Sequence, residues 1–498
     1  GRDAKRLFQS GDTKIVPSPV HGVIQTPTMA PALLRPKIIN GQRVDPMTKA
    51  RVKASPISPI INQDDLDEAT YHFAQKIRGG ENDKIILTYE QSIAGIEGDD
   101  CYPAMKRSTS PGYGWSKKGK GKTFWLGEDE YDFTNQELHD KYDELLQLCK
   151  EGRRPNTVWC DTLKDERRNL DKVEEGKTRL FSCGEMAFTM LFRQYFSGFI
   201  AHMTRNKIDF ESCVGTNVYS LDWTKIVRTL HQVGRKVLAG DFANYDGTLH
   251  PDILWKVLEL INAWYNDGSQ NAMIRTAIWS EIVNSIHLVE DIFYMWNHSQ
   301  PSGCPMTTIL NCVYHSIAAR YVYIVCARRA CLSLIGLENF DRYVRHVNYG
   351  DDDCWCISDE IIDWFNQISI TEAFLALGMK YTDEAKTGNI VAFRTLDEIN
   401  FLKREFRWDP VQCRYRAPLA LSTIREMAMW NHGTVDQYPL TATILEDAVR
   451  ELAQHDESTF RQEFPAFERA ADVIRKRTRV SFKTYKQYQL EEAIKIMT

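Results

Sequence analysis

The tetrapeptide Tyr349-Gly350-Asp351-Asp352 lies between two short stretches of β-branched and aromatic residues within 343–357. A tight polar turn between such stretches predicts a β-hairpin with the aspartates at its tip. Adjacent carboxylates repel each other, so a fold that keeps them at one turn needs a cation nearby. Mg²⁺, which prefers carboxylate and phosphate oxygens, supplies that charge. Taken alone, however, the tetrapeptide is more typical of an Asp-rich surface turn.

A second acidic segment, Asp241-Phe242-Ala243-Asn244-Tyr245-Asp246, directly follows the apolar stretch 236–240. The apolar stretch predicts a short strand, and a strand end is a rigid platform for a carboxylate. Asp241 and Asp351 at two strand ends can hold two divalent ions, which clamp both oxygens of an in-line phosphoryl displacement. On its own, the Asp-x4-Asp spacing is typical of helix-capping aspartates.

A third segment, Pro301-Ser302-Gly303-Cys304-Pro305, precedes a stretch in which apolar residues recur at helical spacing up to about Arg329. This spacing predicts a long helix with Pro305 in its first turn. The Ser-Gly loop offers backbone amides and hydroxyls, and Thr307 and Asn311 follow it within about one helical turn. An ordinary helix cap is the simpler interpretation of the segment by itself.

Taken in order, the three segments resemble the palm motifs of viral RNA-dependent RNA polymerases of the picornavirus-like supergroup. Four further segments extend the resemblance: 109–113 is similar to the template-entry motif, 164–179 to the nucleotide-entry motif, 383–386 to the segment with a general-acid lysine, and 401–404 to the primer grip. The Pro-rich N-terminal arm, with Val16-Pro17-Ser18-Pro19, resembles insect dicistrovirus and iflavirus enzymes more than mammalian ones.

The resemblance implies an α+β protein with the closed right-hand polymerase fold, in which an antiparallel palm sheet is backed by helices. The implied domains are fingers at 1–195, including the Pro-rich arm, and at 251–294; palm at 196–250 and 295–404; and thumb at 405–498. The arm would bridge fingers and thumb. Local patterns also predict helices over 64–90, 136–150 and 185–205, and a mostly helical final stretch of the chain.

The resemblance also implies roles for individual residues. The catalytic residues would be Asp241, Asp351 and Asp352, which also hold two Mg²⁺ or Mn²⁺ ions, and Lys386, which protonates the leaving pyrophosphate. The nucleotide-binding residues would be Lys164, Arg168, Lys172, Lys177, Arg179, Asp246, Ser302, Gly303, Thr307 and Asn311. The RNA-binding residues would be Thr109, Ser110, Tyr349, Lys403 and Arg404.

The implied function is template-directed RNA synthesis from rNTPs onto an RNA or protein primer, which replicates a positive-strand RNA genome. The implied partners are template and product RNA, rNTPs, a genome-linked protein primer and other viral replication proteins. One alternative is a reverse transcriptase, which is disfavoured because Asp246, Ser302 and Asn311 offer hydrogen bonds where such enzymes place an aromatic ring against the sugar. The other alternative is a non-catalytic RNA-binding scaffold with the same fold, which the intact carboxylates disfavour.

Charge patterns qualify these roles. Segment 161–179 has six basic and six acidic residues, so it binds a triphosphate only if one face presents its basic side chains; a salt-bridged, solvated hairpin is the alternative. Two stretches are basic without acids: Lys117, Lys118, Lys120 and Lys122, and the run within 475–486. The second run suits contact with the phosphates of a product duplex, or else forms a solvated helix face.

Asp353 departs from the family pattern, which has an apolar residue after the two aspartates. Side chains alternate along a strand, so a regular strand would place Asp353 on the same side as Asp351. Asp353 then either joins the metal site or lies beyond the turn and pairs with a cation such as Lys386 or Arg345. We favour the second arrangement, because a tight turn interrupts regular alternation.

Composition limits the class of protein and its compartment. The net charge is −5, yet residues 1–60 carry ten Lys/Arg against three Asp/Glu, which makes a basic arm on an acidic body. The 12 cysteines include no C-x-x-C pair, which indicates free thiols in a reducing compartment. No stretch resembles a signal peptide or an uninterrupted apolar span. We therefore expect a soluble protein of the host-cell cytoplasm, at membrane-associated replication complexes.

Overall fold

A computed structural model describes residues 11–115, 120–330 and 336–497. Within these ranges the α-helices are Pro46–Arg51, Gln63–Lys76, Tyr89–Ala94, Thr123–Leu126, Gln136–Lys150, Leu170–Glu174, Met186–Arg205, Asp222–Leu230, Pro251–Tyr265, Ser269–Val283, Thr307–Arg329, Phe340–Tyr343, Gln367–Phe374, Leu421–Glu426, Gln437–Leu452, Glu457–Ile474 and Tyr485–Met497. The strands form two four-stranded sheets and four two-stranded ones. Helices and mainly antiparallel sheets make an α+β fold, as predicted.

The central sheet has four antiparallel strands in the order Val344–Tyr349, Asp352–Ile357, Lys236–Ala243 and Lys380–Asp383. The predicted hairpin over 343–357 is confirmed. The strand predicted over 236–240 continues to Ala243, so Asp241 lies inside the strand rather than just after it.

Helix Thr307–Arg329 packs against the hairpin and against helices Gln63–Lys76 and Gln367–Phe374. It is buried on almost every side, as expected of a helix enclosed by protein. By length and composition it is the one helix of the described residues that qualifies as a candidate membrane span, and 94% of its apolar window is buried inside the protein. This is the position of a core helix.

The second four-stranded sheet joins distant parts of the chain. Its strands, in spatial order, are Ile292–Met295, Ile286–Val289, Val158–Leu163 and Leu180–Cys183. Residues 286–295 therefore complete a sheet begun more than a hundred residues earlier.

The N-terminal arm contacts two separate regions. Strand Ile15–Pro17 pairs with Trp430–His432, next to the C-terminal helices, and strand Met29–Pro31 pairs with Arg167–Asn169. The extended conformation agrees with the proline content of this stretch. The arm thus links the C-terminal region to the segment 161–179.

The helix predicted over 64–90 is wrong in length. The structure has helix Gln63–Lys76, and a separate helix begins only at Tyr89. Gly79 and Gly80 have φ of 93° and 76°, a left-handed conformation that ends an α-helix. The helices predicted over 136–150 and 185–205 are confirmed as Gln136–Lys150 and Met186–Arg205.

Candidate active site

The turn of the central hairpin forms the centre of the site. Tyr349 pairs with Asp352, so Gly350 and Asp351 make a two-residue turn, and Gly350 has φ of 68°. Glycine adopts this left-handed conformation without the steric cost of a Cβ. The turn therefore presents Asp351 at the end of two rigid strands.

The carboxylates around this turn are largely buried and repel one another. The surrounding protein, together with the charges of Asp241 and Asp246, raises the pKa of Asp351 to about 6. Burial and the neighbouring aspartates raise the pKa of Asp352 to about 8. Such shifts mean that the ionised cluster is unfavourable until a cation joins it. Carboxylate oxygens are the ligands that Mg²⁺ prefers, so the donor set fits the divalent ions expected from the sequence.

Lys386 brings one positive charge to these carboxylates. Its Nζ lies 2.8 Å from Oδ2 of Asp241, and 63% of its side chain is exposed. The residue follows strand Lys380–Asp383 in a turn, with φ of 54°. The ammonium group therefore reaches the aspartates while remaining open to the cleft.

Asp352 is bonded to the segment 401–404. Its Oδ2 accepts a hydrogen bond of 2.8 Å from the backbone N–H of Leu402. This bond ties the hairpin to the segment 401–404, which the sequence analysis compared with a primer grip.

The prediction that Asp353 pairs with Lys386 or Arg345 is wrong. Asp353 is fully buried. Lys386 pairs with Asp241 instead, and the Arg345 guanidinium donates to Gln232 and to backbone carbonyls.

The actual partners of Asp353 belong to three other elements. One carboxylate oxygen accepts hydrogen bonds from the backbone N–H of Gly240, at 2.9 Å, and from the Tyr381 hydroxyl, at 2.8 Å. The other oxygen lies 2.8 Å from Nε2 of His315. Gly240 has to be glycine, because an added Cβ would lie 1.9 Å from the Tyr381 ring.

Beside the turn, the structure brings Asp246, Ser302 and Asn311 together. Ser302 Oγ donates to Asp246 Oδ2 over 3.3 Å, and Asn311 Nδ2 donates to Asp246 Oδ1 over 3.1 Å. Gln300 donates to the amide oxygen of Asn311 and so fixes the orientation of that amide. The group offers a hydroxyl, an amide and a carboxylate at one place.

Two other residues predicted to bind nucleotide have local roles in the structure. A Cβ on Gly303 would lie 1.7 Å from the backbone oxygen of Ser182, so this glycine permits a close approach of two backbones. The Thr307 hydroxyl donates to the carbonyl of Cys304 over 2.8 Å and closes the turn that begins its helix. Both residues shape the loop around Ser302.

Lys53 is a site residue that the sequence analysis did not identify. Its Nζ lies 3.4 Å from Oγ of Ser302 and 5.3 Å from the centre of the Trp296 ring. Burial lowers its pKa, an effect partly offset by Asp246. The available signal was weak, because Lys53 is one of ten basic residues in 1–60.

The five basic residues of segment 164–179 that the sequence analysis assigned to nucleotide binding are bonded within that segment. Ion pairs join Lys164 and Arg179 to Glu166, Lys172 to Asp171, and Lys177 to Glu175, and Arg168 donates to the carbonyl of Lys177. This is the salt-bridged hairpin that the sequence analysis left as an alternative.

Arg179 also interacts electrostatically with the carboxylates at the turn. Its hydrogen bond to Glu166 is the main cause of its raised pKa, and the charges of Asp351 and Asp246 add to the effect. The guanidinium is therefore near enough to the turn to interact electrostatically with both aspartates.

Arg404, predicted to bind RNA, is bonded to protein groups instead. Its guanidinium bonds both carboxylate oxygens of Glu451, at 2.8 and 3.0 Å, and the carbonyl of Ala417. The side chain is 13% exposed, so it is committed to the protein rather than to RNA. The neighbouring Lys403 is exposed.

The other predicted RNA contacts lie at the surface. Tyr349 is 36% exposed beside the turn. Thr109 and Ser110 are exposed, and Thr109 Oγ1 accepts a hydrogen bond of 2.7 Å from Lys122. Lys117 and Lys118 lie outside the described residues.

The basic run 475–486 is partly neutralised by acids. Arg475 pairs with Glu468 and Asp472, and Lys483 pairs with Glu491. The exposed side chains of this run that remain candidates for phosphate contact are Lys476, Arg477, Arg479 and Lys486.

Comparison with known proteins gives one consistent result. A family model described as viral RNA-dependent RNA polymerase matches residues 24–471. The replicase polyprotein of acute bee paralysis virus (strain Rothamsted) is 40% identical over 92% of this chain and 25% of that polyprotein. Those of Drosophila C virus (strain EB) and cricket paralysis virus are each 38% identical, over 92% and 93% of this chain and 28% and 27% of theirs. The chain thus spans about a quarter of the length of these curated relatives.

Among solved structures, the Sicinivirus 3Dpol RNA dependent RNA polymerase superposes with a TM-score of 0.80. The match covers 98% of this chain and 96% of that chain, at 19% sequence identity. The two chains share their fold.

Proposed function

Because the chain belongs to the viral RNA-dependent RNA polymerases, we propose that it synthesises RNA on a template from ribonucleoside triphosphates. The right-hand fold expected from the sequence is confirmed. The observation that carries the proposal is the cluster of carboxylates, Asp241 and Asp351, whose mutual repulsion Lys386 only partly offsets, next to the polar group of Asp246, Ser302 and Asn311. Primer extension on a homopolymer template with Mg²⁺ tests it, with rNTPs and dNTPs compared.

Asp241, Asp351 and the free oxygen of Asp352 would hold two Mg²⁺ or Mn²⁺ ions. Divalent ions bound there supply Lewis acidity toward the primer 3′-hydroxyl and neutralise charge on the triphosphate. Lys386, next to Asp241, donates its Nζ proton to the leaving pyrophosphate. Arg179 and Lys53 add positive charge on either side of the nucleotide.

The residues of segment 164–179 bind the triphosphate by exchanging partners. Lys164, Arg168, Lys172, Lys177 and Arg179 hold acids or carbonyls of the same segment in the nucleotide-free protein. Surface ion pairs of this kind contribute little stability, so phosphate oxygens replace the carboxylates at small cost.

RNA, a primer and other viral proteins would be the further partners of this chain. Template and product would pass Thr109, Ser110, Tyr349 and Lys403, and the exposed members of the run 475–486. The primer would be RNA or a genome-linked protein, and other viral replication proteins would be partners in the host cytoplasm, at membrane-associated complexes. We retain the finger, palm and thumb boundaries given above, because the strand pairings of 158–183 with 286–295 support the assignment of 251–294 to the fingers.

Asn311→Ala is expected to lower the rNTP/dNTP ratio of kcat/KM by about tenfold or more. A site built to bond a hydroxyl rejects the analogue that lacks it, because its own polar groups stay unpaired. Removing the Asn311 amide also frees Asp246 from the bond that orients it. Single-nucleotide incorporation with matched rNTP and dNTP measures the ratio. Asn271→Ala, in the separate helix Ser269–Val283, serves as control. An unchanged ratio would remove Asn311 from ribose selection.

Without metal, wild-type stability relative to Asp352→Asn is expected to fall as pH rises from about 4 to about 8. The folded protein keeps a proton on Asp352 up to about pH 8, whereas an unfolded aspartate loses it near pH 4. Because the folded state binds more protons in this window, its stability decreases with pH there. Thermal unfolding in matched buffers measures the difference, and added Mg²⁺ should reduce it at the alkaline end. Parallel pH curves for the two proteins would contradict the expectation.

A further inference from the structure

Gly350, the glycine of the catalytic turn, is bonded on both sides by side chains of one helix. Its N–H donates to Sγ of Cys312 over 3.3 Å, and its carbonyl oxygen lies 2.6 Å from Nδ1 of His315. Residues three apart on a helix share a face, so both side chains reach the turn from helix Thr307–Arg329. The carbonyl bonded by His315 belongs to the peptide that leads directly into Asp351.

His315 connects this peptide to the neighbouring strand. Its side chain is fully buried, and Nε2 lies 2.8 Å from Oδ2 of Asp353. The second oxygen of Asp353 accepts from the N–H of Gly240, the residue immediately before Asp241. The Gly350 carbonyl can only accept a hydrogen bond, so Nδ1 of His315 donates to it, while Nε2 makes the bond to Asp353. A continuous chain of bonds therefore runs from the peptide before Asp351 to the amide of Gly240, the residue before Asp241.

We propose that His315 is a positioning residue, which fixes the relative placement of Asp351 and Asp241 by holding the Gly350 carbonyl. The inference rests on the proposed function, since it concerns the two carboxylates assigned to metal binding. Mg²⁺ demands near-ideal octahedral geometry, and a misplacement of about 1 Å in an active site costs about 10²-fold in rate. Releasing the turn therefore weakens divalent-ion binding as well as catalysis, although His315 touches neither ion nor substrate.

Two variants separate the bonds of His315. In His315→Asn the amide N–H₂ occupies nearly the place of Nδ1 and keeps the bond to Gly350, whereas in His315→Gln it occupies nearly the place of Nε2 and keeps only the bond to Asp353. The matched control is His346→Asn, which alters a buried histidine of the same hairpin whose Nδ1 faces Glu211. Mn²⁺ binding without nucleotide, followed by electron paramagnetic resonance of the free ion, is the primary measurement.

We expect His315→Gln to bind Mn²⁺ at least about fivefold more weakly and to lose about 10- to 100-fold in kcat, with nucleotide KM within about twofold. His315→Asn and His346→Asn should bind Mn²⁺ within about threefold of wild type, even where their melting temperatures fall. Equal Mn²⁺ affinity of the Gln and Asn variants, or equal weakening in His346→Asn, would overturn the proposal. Should the His315 variants not fold, the second side-chain bond to Gly350 tests whether holding this residue controls divalent-ion binding. Cys312→Ser keeps an acceptor for the Gly350 N–H, and Cys312→Val removes it. Tighter Mn²⁺ binding by the serine variant is expected, and equal binding overturns the proposal.

The same measurements separate this inference from the proposed function. If wild-type protein fails to extend a primer, the polymerase proposal fails, while the Mn²⁺ comparison still decides the role of His315. His315, His346 and Asp353 also bring potential ligand atoms within 4.8 Å of one another. One equivalent of zinc in the purified wild-type protein would therefore overturn the assignment of His315 as a hydrogen-bond donor.

Discussion

Asp241→Ala and Asp351→Ala are each expected to abolish primer extension, with kcat reduced by at least about 10³-fold, while RNA affinity stays within about threefold of wild type. Asp241 lies on one strand of the central sheet and Asp351 in the hairpin turn of the same sheet, near enough for their charges to interact. Neither belongs to the predicted RNA surface. Single-turnover extension measures the rate, and fluorescence anisotropy with labelled primer-template measures the affinity.

These substitutions should not destabilise the metal-free protein. Burial raises the pKa of Asp351 and repulsion from the neighbouring carboxylates adds to it, so removing one carboxylate relieves repulsion and the melting temperature is expected to stay the same or rise. Asp359→Ala is the matched control, because this aspartate is 76% exposed and pairs with Lys236 at the far end of the same strands. A loss of RNA binding equal to the loss of activity would assign Asp241 and Asp351 a structural role. Substantial turnover in either variant would contradict the mechanism.

Lys386→Leu is expected to lower kcat by about 10²- to 10⁴-fold, the usual contribution of general acid catalysis, with little change in nucleotide KM. The 2.8 Å contact with Asp241 keeps the ammonium beside the reacting groups. Pre-steady-state incorporation at varied rNTP concentration separates kcat from KM. Lys380→Leu is the control, since Lys380 is an exposed lysine of the preceding strand.

Lys386→Arg distinguishes proton donation from charge. Arginine keeps the positive charge but does not release its proton in a protein. If Lys386 is the acid, the arginine variant should remain nearly as slow as the leucine variant. Recovery of wild-type kcat with arginine, or a defect confined to KM in Lys386→Leu, would show that the residue acts only through its charge.

The spacing of apolar and turn residues within single elements is enough to predict the hairpin and the core helix. The hairpin around Gly350 and the core helix after Pro305 follow from residue spacing within a single element, and periodicity reports such spacing directly. The helix predicted over 64–90 runs through Gly79 and Gly80, whose left-handed conformation instead prevents helix Gln63–Lys76 from continuing.

Partners far apart in the chain explain what the sequence did not predict. Asp353 and His315 are 38 residues apart, Arg404 and Glu451 are 47 apart, and Lys53 lies 249 residues before Ser302. The sequence motifs predict roles for Asp353 and Arg404 and none for Lys53, whereas the bonds of all three are decided by which elements the fold brings together. A charged side chain in a motif thus predicts a charge at that place, but not the group that it meets.

The N-terminal arm has a consequence for how long the protein stays on one RNA molecule. Its strands pair with Trp430–His432 at one end and Arg167–Asn169 at the other, so they close a loop of protein between these two regions. An RNA strand enclosed by this loop can leave in two ways. Either the end of the RNA slides out through the loop, or the pairing of the arm with one of the two regions breaks. Processivity, the number of nucleotides added per binding event, would then depend on backbone hydrogen bonds remote from the chemistry, and weakening them would shorten the products without slowing each addition.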